Sequence, residues 1–396
     1  MCLGLMACVA ALFPILWLAT FTVAEETVLL PKQSIKKHPD TVLVLYGMRH
    51  GNRNPENFVN PVEKSWGLEG PMELTRFGKL QALGLGTALR QFVGKGFLDE
   101  NYLPKEAQFF SSSAARCQMT LQASTAGLYT PVGWGDWSKK FDNWSPVPYS
   151  IDDPMLRMYA VSDCPNSDKA WAPISDDTWG PLAEMKQKGK VLLDYMAKNT
   201  GWDAAVSKAA DLADNIIEIK LYNATLPDWL EHPTLPGYDK DSLVKAYMEF
   251  AEAHQNACAE NEDCRRMMGG YWLKNVLDAI KKAKDGKGPK IIGYASHTEV
   301  TLALMKLMGY KRNEITTTAG FAIEFRNKPN PGVRLLDHDP NPVETHVIYK
   351  AALIPELEKL MDNEAFIDLD KFEAAIQSGV ISKWEEACGR HSCAKP

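Results

Sequence analysis

Residues 49 to 55, Arg49-His50-Gly51-Asn52-Arg53-Asn54-Pro55, place two guanidiniums and an imidazole within a few positions of one another. Planar guanidinium forks donate in parallel to phosphate oxygens. A neutral imidazole is a competent nucleophile. Gly51 permits close backbone approach, and Pro55 stiffens the exit. Just before them, Val42-Leu43-Val44-Leu45-Tyr46 is an apolar run that reads as a fully buried strand. A buried strand that ends in a loop of positive groups is where an open α/β sheet places its ligand site. The plainer reading is a basic turn that meets a carboxylate or only water.

Two further segments have the same form. Ile291-Ile292-Gly293-Tyr294-Ala295 reads as a second buried strand and ends at Ser296-His297. A helix is expected from about Glu299 to Met308, with Gly309 as its stop. Ala107-Gln108-Phe109-Phe110 is a short strand followed by a Ser-rich turn and Arg116. Taken alone, an Arg after a strand is most often a surface residue.

The pattern Arg-His-Gly-x-Arg-x-Pro, filled here by Arg49, His50, Gly51, Arg53 and Pro55, resembles the histidine acid phosphatase family. Leu74-Thr75-x-x-Gly78, the Ser-rich strand end before Arg116, and Leu226-Pro227-Asp228-Trp229 are also similar to that family. The resemblance implies that His50 takes up a phosphoryl group and that Arg49, Arg53, Arg116 and His297 hold it. It implies no cofactor and no metal. It also implies a disulfide between Cys164 and Cys388. One departure is that Ser113, Ala114 and Ala115 stand where the family usually has acidic residues before the Arg.

A second departure bears on activity. The family writes His-Asp at the end of its second strand, and the Asp protonates the leaving alcohol. Here Thr298 follows His297, and a hydroxyl is far too weak an acid for that task. General acid catalysis is typically worth about 10²–10⁴-fold. Glu299 could replace it, since the inositol polyphosphate phosphatase branch writes His-Ala-Glu. Its other reading is a first-turn carboxylate favoured by the helix dipole. The sequence therefore favours a catalytically impaired pocket that binds small ligands such as biogenic amines or leukotrienes. It is similar in this to the salivary acid phosphatase-like branch of blood-feeding insects that lacks catalytic residues. A cap rich in Trp and Asp (Trp134, Trp137, Trp144, Trp171 and Trp179 among them) suits such ligands, although core packing is the ordinary use of Trp. The alternative is an active acid phosphatase that hydrolyses phosphate monoesters via phospho-His50, with Glu299 as general acid.

The elements that must position these residues form an α/β fold: a mixed central sheet flanked by helices, with an inserted mostly α-helical cap domain. The α/β part spans 25–130 and 285–396, and the cap 131–284. Helices are expected at Leu182 to Lys198, Asp203 to Lys220, and from Ser242 through to Lys284. Later strands are expected at 321–325, 333–336 and 346–349. The chain's 396 residues suffice for a sizeable core. A net charge of −6 argues against a general nucleic-acid binder. Residues 1–24 read as a signal peptide, so the protein is expected to be secreted and free of the membrane after cleavage. Cys117, Cys164, Cys258, Cys264, Cys388 and Cys393 remain after cleavage, an even number that suits disulfides. Cys258 and Cys264 are close enough for a local bridge, and Cys117 and Cys393 are left paired or free. Asn143 and Asn223 head glycosylation sequons. A homodimer is compatible with all of this.

Overall fold

A computed structural model of the chain describes residues 34–59, 66–141, 143–157 and 163–390. The signal sequence and Cys393 lie outside the described residues. In chain order the strands are β1 (Thr41–Arg49), β2 (Ala107–Ser111), β3 (Ser150–Ile151), β4 (Ile291–Ser296), β5 (Gly320–Arg326), β6 (Gly332–Pro340), β7 (His346–Lys350) and β8 (Ile367–Asp368). They form one sheet in the order β3-β2-β4-β1-β5-β6-β7, with β8 pairing β6. β1, β2, β3 and β4 run parallel, whereas β5, β6 and β7 are antiparallel. This is the mixed sheet expected.

β1 is buried on both faces, which is why it reads as a continuous apolar run. Its side chains alternate. Val44, Tyr46 and Met48 pack with Leu85, Leu89, Phe92 and Leu121 of the helices α1 (Arg76–Val93) and α2 (Ala115–Leu128). Leu43 and Leu45 face the opposite layer, which holds the helical insertion.

That insertion runs through α3 (Asp153–Leu156), α4 (Pro165–Ser175), α5 (Gly180–Lys188), α6 (Lys190–Thr200), α7 (Val206–Leu221), α8 (Asp228–Glu231), α9 (Lys240–Glu260) and α10 (Glu262–Lys284). α10 lies on the sheet: the Trp272 ring is 5.3 Å from that of Tyr294 and 5.6 Å from that of Phe321. Two stretches that read as single helices are each broken in two. Gly189 separates α5 from α6, as expected of a residue with poor helix propensity. Asn261 separates α9 from α10 by capping the Cys264 N–H, and Cys258 is bonded to Cys264 across that joint. Cys164 is bonded to Cys388, and Cys117 is a buried free thiol. After β4 comes α11 (Thr298–Leu307), with His297 at its N-cap. β3 and β8 are two residues each, too short for a periodicity to show. Among the described residues no helix is long and apolar enough to cross a membrane.

Candidate active site

The three parallel strands β1, β2 and β4 end together. Arg49 closes β1 opposite Ser296, and Ser111 closes β2 opposite Ala295. The residues that follow, His50, His297 and Ser112, leave the sheet side by side. The His50 N–H donates to the Ser296 carbonyl at 2.9 Å, and that of Ser112 to Ala295 at 3.2 Å.

His50 and His297 lie 5.7 Å apart, centroid to centroid. Nδ1 of His50 is 2.9 Å from the Gly51 carbonyl oxygen. A carbonyl only accepts, so Nδ1 carries the hydrogen and Nε2 the lone pair. Burial, then the fields of Arg116, Arg49, His297 and Arg53, hold the His50 pKa well below the usual imidazole value. The ring is therefore neutral, as a nucleophile must be.

His297 can be assigned in the same way. Arg116 Nη2 donates to its Nδ1 at 3.2 Å, and an arginine can only donate. Nε2 then carries the hydrogen and points it at Ser112 Oγ, 3.0 Å away. Burial, Arg116 and Arg157 are the leading causes that lower its pKa. Arg157, just past α3, donates to Ser113 Oγ at 2.8 Å. It is a further cation beside the site that sequence reading missed.

Arg49 is buried and donates to the Ile315 carbonyl at 3.0 Å. Burial lowers its pKa, while Asp214 and Glu299 act in the opposite sense. Burial also works against the charge of Arg53, but Asp214 and Asp211 outweigh it and the pKa rises. Glu299, half-buried in the first turn of α11, is within the electrostatic reach of both guanidiniums. Thr298 is buried beside it. The six residues singled out in the sequence (Arg49, His50, Arg53, Arg116, His297 and Glu299) thus share one electrostatic neighbourhood.

Two of the sequence motifs meet each other. A Cβ built on Gly51 would come within 2.5 Å of the Gly78 carbonyl oxygen, and one on Gly78 within 2.2 Å of that of Asn52. The two backbones touch, so only glycine fits either position. Thr75 caps α1 through the Gly78 N–H and donates its own N–H to the Asn52 carbonyl at 3.0 Å. The Leu-Thr-x-x-Gly segment is therefore the buttress of the His50 loop.

The other buttress was not foreseen. α7 turns Asp211, Asp214, Asn215 and Glu218 toward residues 52–59. Asp211 accepts the backbone N–H groups of Glu56 and Asn57, at 2.9 and 3.0 Å. Asp214 pairs with Arg53, Asn215 accepts the Val59 N–H, and Glu218 accepts from the Asn52 amide. Burial pushes the Glu218 carboxyl up to about 8, against the Asn52 bond. The signal was present: these positions recur at helical spacing, on a stripe beside that of Leu212, Ile216 and Ile219. Thr318 also escaped notice. It holds a left-handed backbone (φ 60°) and donates its N–H to the His50 carbonyl at 3.2 Å. A β-branched residue there costs about 1–3 kcal/mol, so its surroundings must hold it.

The Trp-rich segment does not build this pocket. Trp134, Trp137 and Trp144 are exposed, and Trp171 and Trp179 pack on the hydrophobic core. Of the Asp residues near them, Asp163, Asp168 and Asp176 are on the surface. Asp177 binds the Val206 N–H and Lys186. Among the described residues no cluster of His, Cys, Asp and Glu could hold a metal ion.

The profile described as "Histidine phosphatase superfamily (branch 2)" matches residues 54–318, two thirds of the chain. This chain belongs to that superfamily. The matched span begins just past His50 and takes in Arg116, His297 and Glu299. Lysosomal acid phosphatase of Xenopus laevis is 25% identical over 354 residues, covering 86% of this chain and 77% of its own. Venom acid phosphatase Acph-1 of Apis mellifera is 24% identical, covering 81% and 87%. The fold is shared with Hafnia alvei phytase in complex with myo-inositol hexakis sulphate, at a TM-score of 0.63 and 14% identity over 88% of this chain and 98% of that one. None of these likenesses points to a salivary branch or to lost catalytic residues.

Proposed function

We propose that the chain is a secreted acid phosphatase that hydrolyses phosphate monoesters through phospho-His50. The observation that supports this best is the tautomer of His50: its Nδ1–H is tied to Gly51, which leaves a neutral Nε2 lone pair among three arginines. The lysosomal and venom acid phosphatases among its relatives favour the same activity and an exported protein.

Nε2 of His50 attacks phosphorus as the P–O bond to the alcohol breaks. Arg49, Arg53 and Arg116 spread over the non-bridging oxygens and stabilise the charge there. His297, neutral and bonded to Arg116, positions that guanidinium. Glu299 gives its proton to the departing alkoxide. Water then attacks the phosphohistidine, Glu299 takes the water's proton, and inorganic phosphate and free His50 are released. The arginines supply the positive charge, so no metal or other cofactor is invoked. The helical segment 131–284 acts as the cap, with α7 as the part that reaches the site.

Alkaline quench during turnover of phosphorus-32-labelled p-nitrophenyl phosphate should trap an acid-labile phosphohistidine, absent in His50→Ala. No label on His50, with turnover intact, overturns the proposal.

One observation favours a second reading. Thr298 supplies no carboxyl where the family's acid stands, which suits a pocket that binds without turnover. A weakened acid would leave aryl phosphates, with their good leaving groups, as the only substrates. Strong turnover of alkyl phosphates near pH 5 excludes it, as does the absence of calorimetric heat with serotonin, histamine or a leukotriene.

A further inference from the structure

An exposed aromatic cluster lies on the segment that connects α2 to β3, and catalysis makes no use of it. Trp134 is 70% exposed, Trp137 53%, Phe141 56% and Trp144 41%. Four large rings this open to water on one short stretch call for a cover. They are not loose. The Trp137 and Phe141 rings stack with 5.8 Å between centroids and 3° between planes. Trp144 meets Trp137 edge-on at 6.1 Å, and the Trp137 indole N–H donates to the Trp144 carbonyl at 2.8 Å. The platform is therefore ordered before anything binds to it.

The sequence states what lies at its centre. Asn143-Trp144-Ser145 is an N-glycosylation sequon, and Phe141 precedes the Asn by two positions. The Trp144 N–H reaches back to the Phe141 carbonyl at 3.5 Å, which closes a reverse turn with Asn143 inside it. Asn143 is exposed. A sugar ring presents an apolar face of C–H groups carrying partial positive charge, and the face of an aromatic ring is negative. Phe141 is stacked by Trp137 and is still more than half exposed.

We propose that Asn143 carries an N-linked glycan whose first N-acetylglucosamine lies on Phe141 and the Trp137–Trp144 pair. The glycan shields this patch and stabilises the fold. The inference rests on passage through the secretory pathway, not on catalysis. The second sequon, at Asn223, has Leu221 two positions before it and serves as an internal comparison.

The test uses the full chain secreted from eukaryotic cells. Mass spectrometry should find Asn143 occupied. An endoglycosidase that leaves one sugar should preserve Tm, whereas complete removal, or Ser145→Ala, should lower it by roughly 1–3 °C. Phe141→Ala should abolish that difference, so that the two changes are not additive. Thr225→Ala, which removes the other sequon, should leave Tm unchanged. An unoccupied Asn143, additive effects of Ser145→Ala and Phe141→Ala, or a Tm indifferent to the glycan would each overturn the proposal. So would self-association through the patch in the glycosylated protein, since the rings would then be free to meet a second copy.

Discussion

Asp214 Oδ2 sits 2.8 Å from Arg53 Nη2, so a carboxylate of the inserted helices lies against a guanidinium of the β1 loop. Neither side chain is fully buried, so the pair is partly screened. The carboxylate holds Arg53 in place and also repels an incoming phosphate.

Asp214→Asn keeps the shape and removes the charge. Inhibition by inorganic phosphate should tighten by roughly 2–10-fold, equivalent to at most about 1.4 kcal/mol. The phosphate inhibition constant of the purified variant measures this. A weaker inhibitor would mean that holding Arg53 matters more than repelling the anion.

The proton donor can be separated from the nucleophile by the choice of leaving group. Glu299→Gln should reduce turnover of an alkyl phosphate by about 10²–10⁴-fold and of p-nitrophenyl phosphate far less, because a phenolate leaves without help. Thr298→Asp should restore alkyl turnover in the Glu299→Gln background. Equal losses on both substrates would show that Glu299 acts by some other route.

Acid should destabilise the protein through its buried histidines. His338 Nε2–H donates to the Gly47 carbonyl at 3.0 Å, and its Nδ1 accepts from His346 Nε2 at 2.9 Å. Burial depresses both pKa values, that of His338 to about 4. Unfolded histidines titrate near 6.5, so between about 6.5 and 4 the unfolded chain binds more protons than the folded one. This contribution is complete above the upper limit and is lost as pH falls toward the lower one, on the order of 3 kcal/mol for His338, with His346 acting in the same direction. Urea midpoints across that range should fall with pH, and His346→Phe should flatten the slope. A midpoint independent of pH would contradict this.

Gly78→Ala tests the buttress. The added methyl group would meet the Asn52 carbonyl and force the His50 loop to move. Stability should drop by about 1–3 kcal/mol, as for other overpacked sites, and kcat should fall at least as steeply as the phosphate affinity. Unchanged kinetics would show that the loop does not depend on this contact.

The sequence alone determined the longer strands and the chemistry at their ends. β1 and β4 are buried on both faces, so their apolar runs were legible without partners, and the loops after them stood out by charge. The functional types were legible too, because phosphate chemistry asks for arginine forks and an imidazole in any setting. The helix after His297 and its stop at Gly309 were legible as well, since a glycine takes the left-handed backbone that ends a helix.

Tertiary structure decided which groups surround those residues. Asp211, Asp214 and Glu218 lie some 160 positions from the loop they hold, and only the packing of α7 reveals that their polar stripe faces inward. Arg157 and Thr318 reach the site in the same way, from elements whose local sequence carries no chemical signature. The tautomers of His50 and His297 also depend on neighbours, since a ring nitrogen's hydrogen is placed by whichever carbonyl or guanidinium it meets. The Trp-rich segment shows the opposite case: its composition suggested a ligand wall, but the fold turned three of its rings outward, because composition says what a surface is made of and not which way it faces.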